Sequence, residues 1–178
     1  MMEESSAQDD RLGRLFTFAN DVLEVCKALA IEPIRDGSLA LRAYTQDSTI
    51  TVHDIDFTCS EADFPRLRRA LESNGICCEV REWGVLQARR DDLKVEFGAT
   101  EVWMQGIAGP HGTLRLGNFS VRVVNREALR KLYQRGFDAT SGVASQRVKH
   151  EETAAKLCAL NSAPHEDRWV GALRYTGT

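Results

Sequence analysis

The chain has 178 residues, of which 43% are hydrophobic and 28% charged, and its formal net charge is −3. These values are ordinary for a globular domain, and no apolar run approaches the roughly 20 residues of a membrane-spanning helix, so neither disorder nor a membrane protein is expected. A small negative charge also argues against general electrostatic binding of nucleic acid, because such binders usually carry a clustered basic excess.

The two ends of the chain are polar. Residues 1–10 are acidic and lack the basic and then apolar pattern of a signal peptide, so we expect a disordered tail and a cytoplasmic protein. Residues 11–162 suffice for a single domain, and 163–178 are expected to form a C-terminal tail. The five cysteines are scattered without a CxxC pair, which is typical of reduced thiols.

In the first half of the chain, turn residues separate segments of regular apolar spacing. Apolar residues recur every three or four positions in the predicted helices, whereas Ile55 and Phe57 alternate with two aspartates, as in a strand. Asp36-Gly37-Ser38 is interpreted as a turn from strand to helix. The elements predicted in chain order are a helix over 11–30, a strand over 31–35, a helix over 39–44, a strand over 52–57 and a helix over 61–74.

The second half of the chain is richer in strands. A hairpin joined at Gly117-Asn118 precedes a helix that Asn125 caps and Gly136 ends. The predicted elements are strands over 76–82, 85–89 and 93–97, a loop over 106–110, hairpin strands over 113–116 and 120–124, a helix over 125–135, a linker over 142–145 and a helix over 148–160. This order predicts one α/β (α+β) domain in which helices flank a mixed β-sheet.

Three acidic residues on the predicted strands form a candidate metal site. Asp54 and Asp56 point to the same side of one strand, and two like charges about 4 Å apart repel by roughly 4 kcal/mol unless a cation is shared. Glu96 is the outward residue of another alternating strand. Magnesium prefers such carboxylate oxygens and often completes its shell with phosphates. An Asp-x-Asp pair alone is common on solvated strand edges, but here it lies in an apolar strand that follows a Gly-Ser turn.

The run Asp36 to Arg42, followed by Asp54-Ile55-Asp56-Phe57, resembles the nucleotidyltransferase (polymerase-β-like) superfamily. Within it, the chain is similar to small aminoglycoside and lincosamide nucleotidyltransferases and to the LicD/fukutin type. Two positions depart from the usual pattern: Asp36 stands where an apolar residue or glycine is common, and Glu96 stands where aspartate is common.

The resemblance implies a role for each matched residue. Gly37 and Ser38 would hold the β- and γ-phosphates of ATP or another nucleoside triphosphate, with Arg42 and Lys149 as further phosphate contacts. Asp54, Asp56 and Glu96 would hold Mg²⁺ or Mn²⁺, and Glu96 would also act as, or position, the base that deprotonates the acceptor.

The resemblance thus implies a metal-dependent enzyme that moves a nucleoside monophosphate, AMP from ATP, onto a hydroxyl of a small molecule. Two alternatives stay open: a toxin/antitoxin-type nucleotidyltransferase acting on a protein or an RNA end, and a non-catalytic nucleotide-binding member of the fold. Trp103, soon after the Glu96 strand, is the best aromatic candidate for lining an acceptor pocket. We expect a monomer or homodimer without membrane or nucleic-acid partners.

Overall fold

The computed structural model describes residues 2–47, 49–107, 110–116 and 119–163. The α-helices are α1 (Met2–Ala28), α2 (Gly37–Thr45), α3 (Phe64–Ser73), α4 (Thr100–Trp103), α5 (Arg126–Thr140) and α6 (Arg147–Ser162). The strands are β1 (Ile34–Arg35), β2 (Ile55–Cys59), β3 (Cys77–Arg81), β4 (Val85–Arg90), β5 (Leu93–Ala99), β6 (Pro110–Leu116) and β7 (Phe119–Val124).

The strands form one seven-stranded sheet in the order β3-β4-β5-β2-β1-β7-β6. Two neighbouring pairs, β2 with β5 and β1 with β7, are parallel, and the other pairs are antiparallel. Helices α1 and α3 pack against each other and against this sheet, while α2 contacts β2, α5 and α6. The predicted mixed sheet flanked by helices is therefore confirmed.

One face of the two central strands is apolar and carries the core. Ile55, Phe57, Val95 and Phe97 are essentially inaccessible to solvent, and the rings of Phe57 and Phe97 stack with centroids 5.5 Å apart. Because side chains alternate along a strand, a slip of one residue would expose this whole set, so burial fixes the register of β2 and β5. The same register fixes which residues lie on the opposite face.

The first helix begins earlier than predicted. It starts at Met2 and not at Arg11, so residues 2–10, for which we expected a disordered tail, are helical. This segment contains no glycine or proline that would interrupt a helix. At the other end, residues 164–178 of the expected tail lie outside the described residues.

Tertiary packing also changes two other predicted boundaries. We predicted that helix α5 ends at Gly136, but it continues through this glycine to Thr140. A Cβ on Gly136 would lie 3.9 Å from the Thr153 side chain, so the glycine lies where α5 and α6 approach each other. The strand predicted over 31–35 is limited to Ile34–Arg35, after Pro33, which has no N–H to donate to a ladder.

Three further observations concern a short helix, the hairpin and the thiols. The short helix α4 (Thr100–Trp103) was not predicted. The hairpin strands β6 and β7 flank the predicted turn, but Gly117 and Asn118 themselves lie outside the described residues. All five cysteines are free thiols.

Among the helices described, none has the length and apolarity required to cross a bilayer.

Candidate active site

The structure brings the three predicted acids together on the polar face of the sheet. Strands β2 and β5 are parallel neighbours, with Asp56 directly opposite Glu96. The strand predicted over 52–57 spans Ile55–Cys59 instead, so Asp54 lies just before β2 and not within it. One carboxylate oxygen from each of Asp54, Asp56 and Glu96 lies within 4.8 Å of the other two. Glu96 is thus on the same side as the aspartate pair, away from the Phe57 and Phe97 rings. We call these residues the acidic triad.

The Gly-Ser turn packs directly against the triad. The Asp36 backbone N–H donates a hydrogen bond to the Asp56 carbonyl at 3.2 Å. Gly37 has a φ of +68°, and a Cβ built on it would lie only 1.9 Å from Asp56 Oδ2. Glycine is required here for two reasons, since it adopts the left-handed conformation without a penalty and leaves room for the carboxylate. Ser38 follows as a buried residue in the first turn of α2.

Asp36 adds a fourth acidic group to the same electrostatic field. Burial, reinforced by Asp54 and Glu96, raises the pKa of Asp36 from 3.8 to about 7, against the opposing effect of Arg35. The pKa of Asp56 is raised well above its usual range by burial and then by Asp54, Asp36 and Glu96. The site therefore favours the binding of positive charge, as protons or as cations.

Lys94 is a residue of this site that the sequence analysis missed. Its ammonium lies 2.7 Å from Asp54 Oδ2 and 3.2 Å from Glu96 Oε1. Although partial burial acts against it, the hydrogen bond and charge of Asp54, followed by Glu96, raise the pKa of Lys94. The signal was present in the sequence, because Lys94 precedes Glu96 by two positions on β5 and must share its face.

Gln87 is a second missed residue. It is buried on β4 opposite Glu96, and its Nε2 donates a hydrogen bond to Glu96 Oε1 at 2.5 Å. This bond holds the Glu96 carboxylate in a defined orientation. The pairing depends on the β4–β5 register, which the sequence alone does not give.

Arg35 is a buried cation beside the turn. Its side chain is fully inaccessible, and its guanidinium lies 5.2 Å from the centroid of the Phe57 ring. Within the described part of the chain, the guanidinium nitrogens and the nearby Tyr133 hydroxyl have no hydrogen-bond partner. Burial lowers the pKa of Arg35 to about 10, while Asp56 and Asp36 act in the opposite direction. Arg35 thus contributes positive potential near Asp56 and Asp36, and it forms no ion pair with any residue that the structure describes.

The two predicted phosphate-binding cations lie on helices that flank the sheet. Arg42 lies in the last turn of α2 and is half-buried, and Lys149 is exposed on α6. Across the described ranges, neither forms an ion pair with the acids. Helices α2 and α6 do contact each other. The roles of Arg42 and Lys149 therefore remain predictions.

Trp103 lies on the triad side of β5. A Cβ on Gly98 would lie 2.8 Å from Trp103 Cδ1, so the indole lies directly over this glycine. Gly98 follows Glu96 by two positions and therefore shares its face. The indole Nε1 donates a hydrogen bond to the Trp83 carbonyl at 3.1 Å, which fixes the ring. The indole is thus held over the end of β5, on the face of the strand that also carries Glu96.

The donor set of the triad fits a hard divalent cation. Its three groups are all carboxylates, which Mg²⁺ and Mn²⁺ prefer, and their oxygens are close enough to share an ion. A cation, the Lys94 ammonium, already lies between two of them. Asp54, Asp56 and Glu96 are therefore chemically suited to hold the metal predicted from the sequence.

Known structures share this fold, although no family model and no curated protein matches the chain significantly. The solution structure of the antibiotic-resistance factor ANT(2'')-Ia has a TM-score of 0.57 at 19% identity, covering 80% of this chain and 82% of that chain. Its crystal structure with adenylyl-2''-tobramycin gives 0.53 at 20%, over 80% and 87%. The lincosamide antibiotic adenylyltransferase LnuA, with lincomycin bound, gives 0.52 at 13%, over 81% and 94%. The chain therefore has the nucleotidyltransferase fold, which confirms the fold implied by the Gly-Ser turn and the Asp-Ile-Asp strand.

Proposed function

We propose that this protein transfers a nucleoside monophosphate, AMP from ATP, onto a hydroxyl group of a small-molecule acceptor. The observation that carries the proposal is the convergence of Asp54, Asp56 and Glu96 beside the Gly37 turn. The fold supports it, because similar folds occur in a protein crystallised with adenylyl-2''-tobramycin and in a lincosamide adenylyltransferase bound to lincomycin.

The donor nucleotide would bind between the triad and the start of α2. Asp54, Asp56 and Glu96 would hold Mg²⁺ or Mn²⁺, which when bound neutralises triphosphate charge and polarises the phosphoryl group. The free N–H groups at the start of α2, from Gly37 and Ser38, would bind the β- and γ-phosphates. Arg42 and Lys149 are the proposed further phosphate contacts.

Glu96 is the proposed base. Its carboxylate would accept the proton of the acceptor hydroxyl as the hydroxyl oxygen forms a bond to the α-phosphorus. The bond between this phosphorus and the oxygen leading to the β-phosphorus breaks, and pyrophosphate leaves. The hydrogen bond from Gln87 and the ion pair with Lys94 orient the Glu96 carboxylate.

The acceptor would bind on the Trp103 side of the triad. The Trp103 indole, held against Gly98, offers aromatic surface suited to packing against a sugar ring or another flat polar molecule. The negative net charge of the chain favours a small acceptor over a nucleic acid, which would require a basic groove.

A thermal-shift experiment tests donor binding without knowledge of the acceptor. At about 100 times the dissociation constant, Mn²⁺ with ATP should stabilise the protein by about 2.7 kcal/mol, which corresponds to a rise in melting temperature of roughly 5–10 °C. The double variant Asp54→Asn with Asp56→Asn should lose this rise, whereas Asp138→Asn on exposed α5 should retain it. An equal rise in the double variant contradicts the proposed site.

A transfer assay tests the chemistry. The protein is incubated with ATP labelled at the α-phosphate and a panel of hydroxylated small molecules, and labelled products and pyrophosphate are measured. Glu96→Gln should abolish transfer, whereas Glu79→Gln on the edge strand β3 should not change it. Label that appears instead on RNA or on protein would favour the toxin-type alternative.

One observation favours a second candidate, a nucleotide-binding member of the fold without turnover. Lys94 occupies the space between two triad acids, where a metal would bind. Metal-independent ATP binding together with no transfer to any acceptor would support this candidate.

A further inference from the structure

The placement of Lys94 bears on how the triad would acquire its metal. Lys94 and Glu96 share one face of β5, and Asp54, which immediately precedes β2, lies within hydrogen-bonding distance of the Lys94 ammonium. The ammonium forms ion pairs with both acids, at 2.7 Å and 3.2 Å. No other ion pair to the triad occurs in the parts of the chain that the structure describes.

The ammonium therefore occupies the position that best neutralises two of the three carboxylates. A divalent ion held by Asp54 and Glu96 needs the same oxygens. A second cation at hydrogen-bond distance repels the ion and weakens its binding to these oxygens. The Lys94 side chain is 31% exposed, so it has an open path toward solvent when it leaves the acids.

We propose that Lys94 is an internal counter-ion that occupies the triad in the metal-free protein and lowers its affinity for divalent ions, which bind only by displacing the ammonium. This inference rests on the proposed function, since it assumes that the triad is the metal site. It extends that function by proposing that Lys94, which is not itself a metal ligand, determines how tightly the triad binds a divalent ion.

The proposal predicts opposite effects on metal binding and on metal-free stability. Lys94→Met removes the charge and keeps the aliphatic stem. Mn²⁺ should then bind roughly 5- to 30-fold more tightly, the factor that corresponds to losing about one or two kcal/mol of competing ion pairing. The melting temperature of the metal-free variant should fall, because the acids lose their cation. A merely structural lysine would change stability without tightening metal binding.

In the experiment, the full chain is first treated with a chelator and then titrated with Mn²⁺. Binding is measured by electron paramagnetic resonance of free Mn²⁺ and by calorimetry. Lys94→Arg keeps the charge and should restore affinity close to that of the wild type. Lys131→Met removes a surface lysine paired with Glu127 at 3.8 Å and should change nothing. Circular dichroism checks folding, and Lys94→Gln replaces Lys94→Met if the latter does not fold.

The outcomes separate this inference from the proposed function. Unchanged or weaker Mn²⁺ binding by Lys94→Met overturns the role of Lys94, while loss of wild-type binding in Asp54→Asn with Asp56→Asn would still support the metal site. Binding by Lys94→Met but not by the wild type supports the inference and counts against metal-dependent turnover. Absence of Mn²⁺ binding in every variant overturns both.

Discussion

Replacement of Gly37 by alanine should disable the site, because the added Cβ atom would collide with the Asp56 side chain. The new Cβ would lie 1.9 Å from Asp56 Oδ2, 2.6 Å from Asp56 Cγ and 2.7 Å from Asp56 Cβ. Real Cβ contacts are essentially never shorter than 3.0 Å, so the carboxylate or the turn must move by about 1 Å. Such a displacement separates Asp56 from the other two acids.

The cost of the substitution has two parts. The left-handed backbone, with φ at +68°, costs an L-residue about 1–2 kcal/mol, which lowers the melting temperature by roughly 2–8 °C. The displacement of Asp56 should weaken Mn²⁺ binding and lower the transfer rate about 100-fold, the usual effect of misplacing a catalytic group by 1 Å.

Gly75→Ala is the matched control. Gly75 has a similar φ of +73°, but a Cβ on it would meet nothing within 4 Å. Both variants should lose similar backbone stability by thermal denaturation, and only Gly37→Ala should also lose the Mn²⁺–ATP shift and transfer activity. If Gly37→Ala matches Gly75→Ala in stability, Mn²⁺ binding and activity, the argument from close packing is refuted.

Other predictions address the pH response and the packing around the site. The pKa of Asp36 is raised from 3.8 to about 7, so between these pH values the folded protein binds more protons than the unfolded chain. The contribution of Asp36 to the free energy of unfolding of the metal-free protein is therefore lost as the pH rises from about 4 to about 7. The melting temperature of the wild type relative to Asp36→Asn should therefore fall from about pH 4 to pH 7 in chelator, and a constant difference would contradict this. Gly98→Ala should displace the Trp103 indole, costing about 1–3 kcal/mol and shifting tryptophan fluorescence; an unchanged spectrum would argue against the contact. Asn125→Ala removes the 2.6 Å cap bond from the Ala128 N–H and should cost about 1 kcal/mol in chemical denaturation, whereas no loss would show that the cap is dispensable.

Strand periodicity predicted the faces on which Asp56 and Glu96 lie. Asp56 stands between the buried Ile55 and Phe57, so its carboxylate lies on the other side of β2. Asp54 immediately precedes the strand, and its place in the triad depends on the bend that leads into β2. The same rule places Lys94, two positions before Glu96, on the acidic face of β5.

Other features depend on contacts that are distant in sequence. An arginine in a short strand is normally expected at the surface, yet Arg35 is buried because β1 lies between β2 and β7. Gln87 reaches Glu96 only through the pairing of β4 with β5. Strand order and register arise from the packing of the whole sheet, so local patterns did not predict them.

The end of α5 illustrates the opposite error. Gly136 was interpreted as a helix terminator because glycine is common just beyond helix ends. In the structure the helix continues, and Thr140 Oγ1 donates a hydrogen bond to the Gly136 carbonyl. Packing against α6 outweighs the intrinsic cost of an internal glycine, which is about 1 kcal/mol.

A crystal structure of the protein with Mn²⁺ and a non-hydrolysable ATP analogue, with anomalous data collected for manganese, tests the central claim most directly. We expect an anomalous peak within bonding distance of Asp54, Asp56 and Glu96, with the phosphates at the start of α2 and the Lys94 ammonium displaced. Density for the nucleotide elsewhere, or an ordered Lys94 still bound to Asp54 and Glu96 with no manganese at the triad, would contradict it.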